Sequence, residues 1–168
     1  REYGYKGDIE IVPNGTDFDM PENMESLVCQ VEERLNLSSD DLVFLFVGQH
    51  IWQKNIKLIV DSLKLVSERN IQYRMFFVGD GYAKEDLEAY VRELGLDDRI
   101  AFLGKILDRD YLRSLFARAD LFLFPSVYDN APIVIREAAA VATPSLVIAN
   151  TNTAEGIIDN VNGFLSEN

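Results

Sequence analysis

Histidine, cysteine and tryptophan are scarce in this sequence of 168 residues, which contains one of each. One thiol, Cys29, allows neither a disulfide framework nor a cysteine metal cluster and fits a reducing compartment. No apolar run is long enough for a transmembrane helix. Basic residues are also outnumbered, 16 against 28 acidic residues, and the net charge of −12 repels phosphate backbones. We therefore expect a cytoplasmic protein without a transmembrane segment that does not bind nucleic acid.

Apolar strands alternate with amphipathic helices along most of the chain. Strands are predicted at 8–13, 42–48, 73–79, 99–104, 121–125 and 144–148. Helices are predicted at 26–35, 55–68, 83–94, 108–118 and 132–141, with a short one at 154–159 and a turn at 162–163. This alternation predicts an α/β fold, a Rossmann-like doubly wound parallel sheet with helices on both faces, as a single domain over 1–168. In such sheets ligands bind beyond the carboxyl ends of the strands.

The segment 125–138 (PSVYDNAPIVIREA) joins a strand exit to a helix start. Proline is well placed to open a helix, so Pro132 is predicted there. The free amides around Asn130, Ala131 and Ile133, together with the helix dipole, favour an anion or a hydroxyl oxygen.

Two carboxylates flank that helix start. The helix is apolar on nearly every side, so Glu137 is predicted to be buried and to need either a cation or a hydrogen-bonding ligand. Arg136 points elsewhere on the helix and is a poor partner. The functional interpretation is that Glu137 holds a ribose diol and Asp129 a sugar hydroxyl. The structural alternative is a helix cap at Asp129 and a buried salt bridge at Glu137.

Other strand exits carry further candidates. Gly48 and Gln49 follow one strand, and Lys54 lies near the next helix start, where the dipole opposes a cation; it is predicted to serve a diphosphate, or else to be a solvated surface lysine.

Gly79 and Gly81 form half of a dinucleotide fingerprint, which alone indicates only a tight turn on the ligand side. The backbone at Gly104 and Lys105 is predicted either to form hydrogen bonds with a flat nucleotide base or to form a plain turn. His50 is expected to be packed rather than catalytic. We find no metal-binding motif and expect none.

These motifs occur in one order: VPNGTD at 12–17, FVG at 46–48 with Lys54, VGDG at 78–81, FLG at 102–104, and PS at 125–126 followed by Asp129 and Glu137. As a set they resemble the C-terminal domain of the family 4 (group 1) glycosyltransferases, over about 8–165. The resemblance implies one half of a GT-B fold that binds a nucleotide diphosphate sugar, linked to UDP or GDP, as donor substrate. It also implies hexose transfer with retention of configuration, without a metal or another cofactor.

The resemblance assigns roles to individual residues. Asp129 and Glu137 match a catalytic carboxylate pair separated by seven residues, the first near the donor hexose and the second on the ribose. The backbone groups that surround the sugar and the phosphate of the donor would come from Asn130, Ala131, Pro132 and Ile133. Lys54 matches the lysine that neutralises the diphosphate.

The chain departs from the family pattern in four places. Gln49 stands where an arginine is usual, Asp129 where a glutamate is usual, Ala142 where a glycine is usual, and 151–153 replace a glycine-rich loop. His50 and Arg109 are the candidates to replace the missing cation. The departures keep alternatives open: a degenerate, non-catalytic binding domain or a nucleotide-sugar epimerase of the same architecture, with a protein-interaction module least supported.

The resemblance also implies partners beyond this chain. The sequence begins without an initiator methionine, and the family's acceptor domain and C-terminal crossover helix have no counterpart in it. We expect a truncated fragment that binds donor weakly and catalyses nothing alone. The acceptor, a glycan or lipid-linked sugar, would bind through the missing N-terminal domain, and the full-length enzyme could associate peripherally with a membrane.

Overall fold

A computed structural model describes residues 7–8, 10 and 14–167. These residues form five α-helices: α1 (Met24–Leu35), α2 (Ile56–Glu68), α3 (Lys84–Glu93), α4 (Arg109–Arg118) and α5 (Ile133–Ala140). They also form six strands: β1 (Val43–Val47), β2 (Arg74–Val78), β3 (Ile100–Gly104), β4 (Leu121–Phe124), β5 (Ser145–Ile148) and β6 (Gly163–Ser166). Two single 3-10 turns lie at Trp52–Lys54 and Asn152–Ala154. Most of the strand expected at 8–13 lies outside the described residues.

The strands form one parallel sheet in the order β3-β2-β1-β4-β5-β6. Right-handed crossovers then place α2 and α3 on one face and α4 and α5 on the other, which confirms the predicted Rossmann-like doubly wound architecture. Six phenylalanines fill the core beside β1, β2 and β4: Phe46, Phe76, Phe77, Phe116, Phe122 and Phe124. The strand order reverses between β1 and β4, so in a sheet of this class a ligand crevice is expected at this point.

The C-terminal region differs from the sequence prediction. The predicted helix at 154–159 is wrong, because the chain makes only the turn Asn152–Ala154 and then adopts a φ of +82° at Gly156, which a helix cannot contain. Beyond the predicted turn lies β6, an edge strand paired with β5. A Cβ at Gly163 would lie 2.5 Å from the Ser145 carbonyl oxygen, so glycine is needed where this strand approaches its neighbour.

The start of α4 matters for the site. Asp108 caps the helix, as predicted, because its side chain accepts hydrogen bonds from the amides of Asp110 and Tyr111 at 3.0 and 3.1 Å. The cap fixes Arg109 as the first residue of α4, on the face shared with α1 and α5.

Candidate functional site

A cavity of about 510 Å³ opens beyond the carboxyl ends of β1, β2 and β3. Five of the predicted binding residues line it: Gly48, Gln49, Gly79, Gly81 and Lys105. A sixth, Gly104, directly precedes Lys105, and its carbonyl accepts a hydrogen bond of 2.8 Å from the Gly79 amide. The structure therefore brings three separate strand exits into one recess.

Glycine is required at positions 79 and 81, because the backbone of the loop after β1 approaches both positions closely. Gly79 has a φ of +129°, and a Cβ there would lie 1.9 Å from the Gly48 carbonyl oxygen. A Cβ at Gly81 would lie 2.4 Å from the carbonyl oxygen of His50. Two hydrogen bonds join the same loops, from Gly48 N to Val78 O at 3.0 Å and from His50 N to Asp80 O at 2.9 Å. The tight-turn interpretation is thus correct, and the interlocked loops form a rigid cavity wall.

His50 lies beneath this wall and is fully buried. Its ring packs 5.9 to 6.1 Å from the ring centroids of Phe46, Phe77 and Phe102. Neither ring nitrogen has a hydrogen-bond partner among the described residues. Burial lowers the pKa of His50 below its usual 6.5; Lys84 lowers it further and Asp80 opposes the change. The structure favours the packed interpretation over a catalytic base.

Lys54 and Asp129 meet at the point where the strand order reverses. Lys54 ends the 3-10 turn after β1, and its Nζ donates a hydrogen bond to Asp129 Oδ1 in the loop after β4. The Ser126 hydroxyl donates to the other oxygen, Oδ2. Lys54 is therefore not a solvated surface lysine. Asp129 is not a helix cap either, since no side chain caps α5 among the described residues.

The loop between β4 and α5 is held from both sides. Pro132 is the N-cap rather than the first helical residue, and α5 begins at Ile133. Ala131 adopts a φ of +47°, which is strained for a residue with a Cβ. Asn14 Nδ2 donates to the Ala131 carbonyl at 3.0 Å, and the side chain of Asn152 donates to that of Asn130. These tethers hold the uncapped amides of the first turn of α5 near Asp129.

Glu137 is buried, with 3% of its surface exposed, as predicted. Its partner is not Arg136: Arg109 Nη2 donates to Glu137 Oε1 at 2.8 Å. Of the two predicted ways to satisfy this carboxylate, a cation or a hydrogen-bonding ligand, the structure shows the cation, which is the buried salt bridge of the structural alternative. Arg109 also bonds Asp17, whose pKa it lowers, and lies 4.3 Å above the Phe18 ring.

A second cavity, of about 550 Å³, was not anticipated from the sequence. It lies between α5 and the loops around β5 and β6, and its lining includes Pro132, Arg136 and Glu155. Ala142 also lines it and adopts a φ of +62°, the backbone conformation that explains why glycine is favoured at this position.

Within residues 7–8, 10 and 14–167, no group of three or more His, Cys, Asp or Glu side chains is arranged to hold a metal ion. None of the helices there has the length and apolar character needed to cross a bilayer.

Comparisons with known proteins agree with this architecture. Residues 30–168 match the family model of the glycosyl transferases group 1. The UDP-Gal:alpha-D-GlcNAc-diphosphoundecaprenol alpha-1,3-galactosyltransferase of Escherichia coli is 29% identical over 163 residues, which cover 95% of this chain and 41% of that protein.

Two solved structures are similar over almost the whole chain. Sucrose-phosphate synthase from Thermosynechococcus elongatus superposes with a TM-score of 0.79 at 26% identity, covering 96% of this chain and 40% of that one. HepE from Anabaena, in complex with UDP and glucose, superposes with a TM-score of 0.77 at 23% identity, covering 92% and 42%. The HepE likeness concerns the fold alone.

The fold and the crevice define a Rossmann-like α/β domain of the GT-B type. Because the family match covers most of its length, the chain belongs to the group 1 glycosyltransferases, and it corresponds to their C-terminal domain. It spans about 40% of the length of the curated relatives that it matches.

Proposed function

We propose that this chain binds the nucleoside diphosphate sugar donor of a retaining hexosyltransferase, with UDP as the preferred nucleotide. The observation that carries the proposal is the Lys54–Asp129 pair at the crevice between β1 and β4, beside the glycine-walled cavity. A lysine and a carboxylate there match the needs of a diphosphate and a sugar hydroxyl. The E. coli relative named for UDP-galactose supports the choice of nucleotide.

The chemistry would be electrostatic. When the glycosidic bond breaks, negative charge develops on the departing diphosphate. Lys54 would leave Asp129 for a phosphate oxygen, and the uncapped amides at the start of α5 would add further donors. Asp129, freed from the lysine, would accept a hydrogen bond from the hexose, and Ser126 would keep its carboxylate oriented.

The base would lie at the exit of β3 and the ribose at Glu137. Backbone at Gly104 and Lys105 would receive the base, and the position of Lys105 in the cavity lining supports that role. Glu137 would receive the ribose hydroxyls. The acceptor, a glycan or lipid-linked sugar, would bind a further domain of the full-length protein. We place the protein in the cytoplasm, because its lone exposed thiol, Cys29, fits a reducing compartment.

Calorimetry with UDP, GDP and their sugars tests this proposal. Lys54→Met should weaken UDP binding by about 2 kcal/mol, or thirtyfold, the scale of one charge-assisted hydrogen bond. Its effect on uridine, which has no phosphate, should be negligible. Lys57→Met is the matched control, because Lys57 lies on α2 and pairs at the surface with Asp61. Absence of binding by every nucleotide to a folded sample would refute the proposal.

A second candidate function, a degenerate domain that binds donor without turnover, is favoured by Gln49. This uncharged side chain lines the cavity where the family carries a phosphate-binding arginine. If the domain is degenerate, Gln49→Arg together with Asp129→Glu should raise UDP affinity at least tenfold. Sugar transfer at ordinary rates by the full-length native enzyme would contradict this candidate.

A further inference from the structure

Arg109 joins three separate parts of the chain. From the capped first turn of α4 its guanidinium reaches Glu137 on α5 and Asp17 in the N-terminal loop, and it stacks over Phe18. Phe18 is itself anchored, since its ring packs edge-on against Phe116 at 6.0 Å. The guanidinium is therefore held by two carboxylates and by the Phe18 ring.

The burial of the two charged partners is unequal. The Glu137 side chain is 4% exposed, whereas that of Arg109 is 46% exposed. A carboxylate this deeply buried would cost several kcal/mol without a partner. Arg109 removes that cost through Oε1 alone, and the described residues make no hydrogen bond to Oε2. One oxygen is thus anchored while the other can still accept a hydrogen bond.

We propose that Arg109 is a positioning residue for the nucleoside: it anchors Glu137 through Oε1 so that Oε2 faces the ribose hydroxyls. This inference rests on the proposed function. It also excludes Arg109 as the replacement for the phosphate-binding arginine missing at Gln49. Reaching a phosphate would require Arg109 to abandon two carboxylates, one of them buried.

The test compares UDP with 2′,3′-dideoxy-UDP, which keeps the base and diphosphate but lacks the ribose diol. The native chain should prefer UDP by at least about tenfold, the lower end of the range for one charge-assisted hydrogen bond. Arg109→Gln should lower UDP affinity to that of the dideoxy nucleotide and leave dideoxy-UDP binding unchanged. Arg109→Lys should restore part of the preference, because it returns the charge without the fork geometry.

Arg113→Gln is the matched control, since Arg113 lies one turn further along α4 and pairs with Asp19 and Asp110 instead of Glu137. It should keep the native preference for UDP. Asp17→Asn is a second variant that tests the inference even if Arg109→Gln does not fold, because the Asp17 side chain is 69% exposed. It removes one of the two carboxylates that hold Arg109, so its preference for UDP should be intermediate.

Every outcome of these binding measurements either supports the role of Arg109 or overturns it. An unchanged preference for UDP in Arg109→Gln would overturn it, as Glu137 would then need no anchor. Tighter UDP binding by that variant would also overturn it, because Arg109 would be a competitor that caps the site. If the native chain binds neither nucleotide, the proposed function fails and the inference with it; if it binds both equally, only the ribose contact and its anchor fail.

Discussion

Replacing Gly79 by alanine tests whether the cavity wall depends on the contact between two loop backbones. The new Cβ would lie 1.9 Å from the Gly48 carbonyl oxygen, where real contacts are not shorter than 3.0 Å. The loops must therefore separate by at least about 1 Å, which stretches the Gly48 N–Val78 O bond of 3.0 Å and the His50 N–Asp80 O bond of 2.9 Å beyond hydrogen-bond range.

The expected cost follows from these losses. Two hydrogen bonds contribute about 1 kcal/mol each, and alanine at a φ of +129° adds about 1–3 kcal/mol of backbone strain. Gly79→Ala should therefore lower the free energy of unfolding by about 3–5 kcal/mol, a large share of the 5–15 kcal/mol that is typical of a domain. Urea denaturation followed by circular dichroism measures the change.

Gly95→Ala is the matched control. Gly95 also has a positive φ, +67°, but a Cβ there would meet nothing within 4 Å. Its replacement should cost only about 1–2 kcal/mol, the penalty of the left-handed conformation. If both variants lost the same stability, the loop contact would contribute nothing and the reasoning about a rigid wall would be refuted.

Three further predictions concern buried or capping groups. The lowered pKa of His50 means that the unfolded chain binds its proton more tightly, so stability should fall as pH drops below 6.5, by up to about 1.4 kcal/mol per unit; His50→Leu should remove this component. Arg118→Met should cost about 2–4 kcal/mol, because it strands Glu32 and two backbone carbonyls. Asp108→Ala should cost about 1 kcal/mol through loss of the α4 cap.

Each of these predictions has its own check. His50 is the only histidine, so its ring proton resonance reports its titration directly, and a midpoint at or above 6.5 would contradict the first. The control for Arg118→Met is Arg92→Met, which should leave the urea midpoint unchanged because Arg92 is an exposed arginine on α3. Asp108→Asn keeps a capping oxygen and should retain nearly native stability; equal losses in Asp108→Asn and Asp108→Ala would exclude a capping role.

Much of the sheet could be predicted from the sequence, because most of its strands have a clear local sequence pattern. The strands β1, β2 and β3 are apolar runs that each end at or beside a glycine, and the structure explains Gly79 and Gly81 by backbone contact. The conflict between the Lys54 charge and the helix dipole was equally local; the structure pairs this lysine with Asp129, and its role toward a diphosphate stays a prediction. Strand β6 escaped prediction because it is short, lies at an edge and exposes Phe164.

The anchor of Glu137 could not be predicted. Its partner Arg109 lies 28 residues earlier, and only the crossover from β3 to β4 places α4 beside α5 on one face. The helix pattern predicted a buried carboxylate and excluded Arg136, but periodicity within one helix says nothing about its neighbours. Long-range pairing depends on the strand order, which the sequence does not encode locally.

The hydrogen bond between Lys54 and Asp129 has a consequence for selectivity among the many phosphates of a cell. A small anion such as inorganic phosphate would have to detach the lysine from a carboxylate that already neutralises it, and would gain little in exchange. A nucleotide sugar brings compensation at both ends, since its diphosphate takes the ammonium and its hexose hydroxyl takes the released carboxylate. Lone phosphate is therefore expected to bind much more weakly than UDP, whose base and ribose add contacts, and a nucleotide sugar is expected to bind more tightly than UDP because its hexose also compensates Asp129.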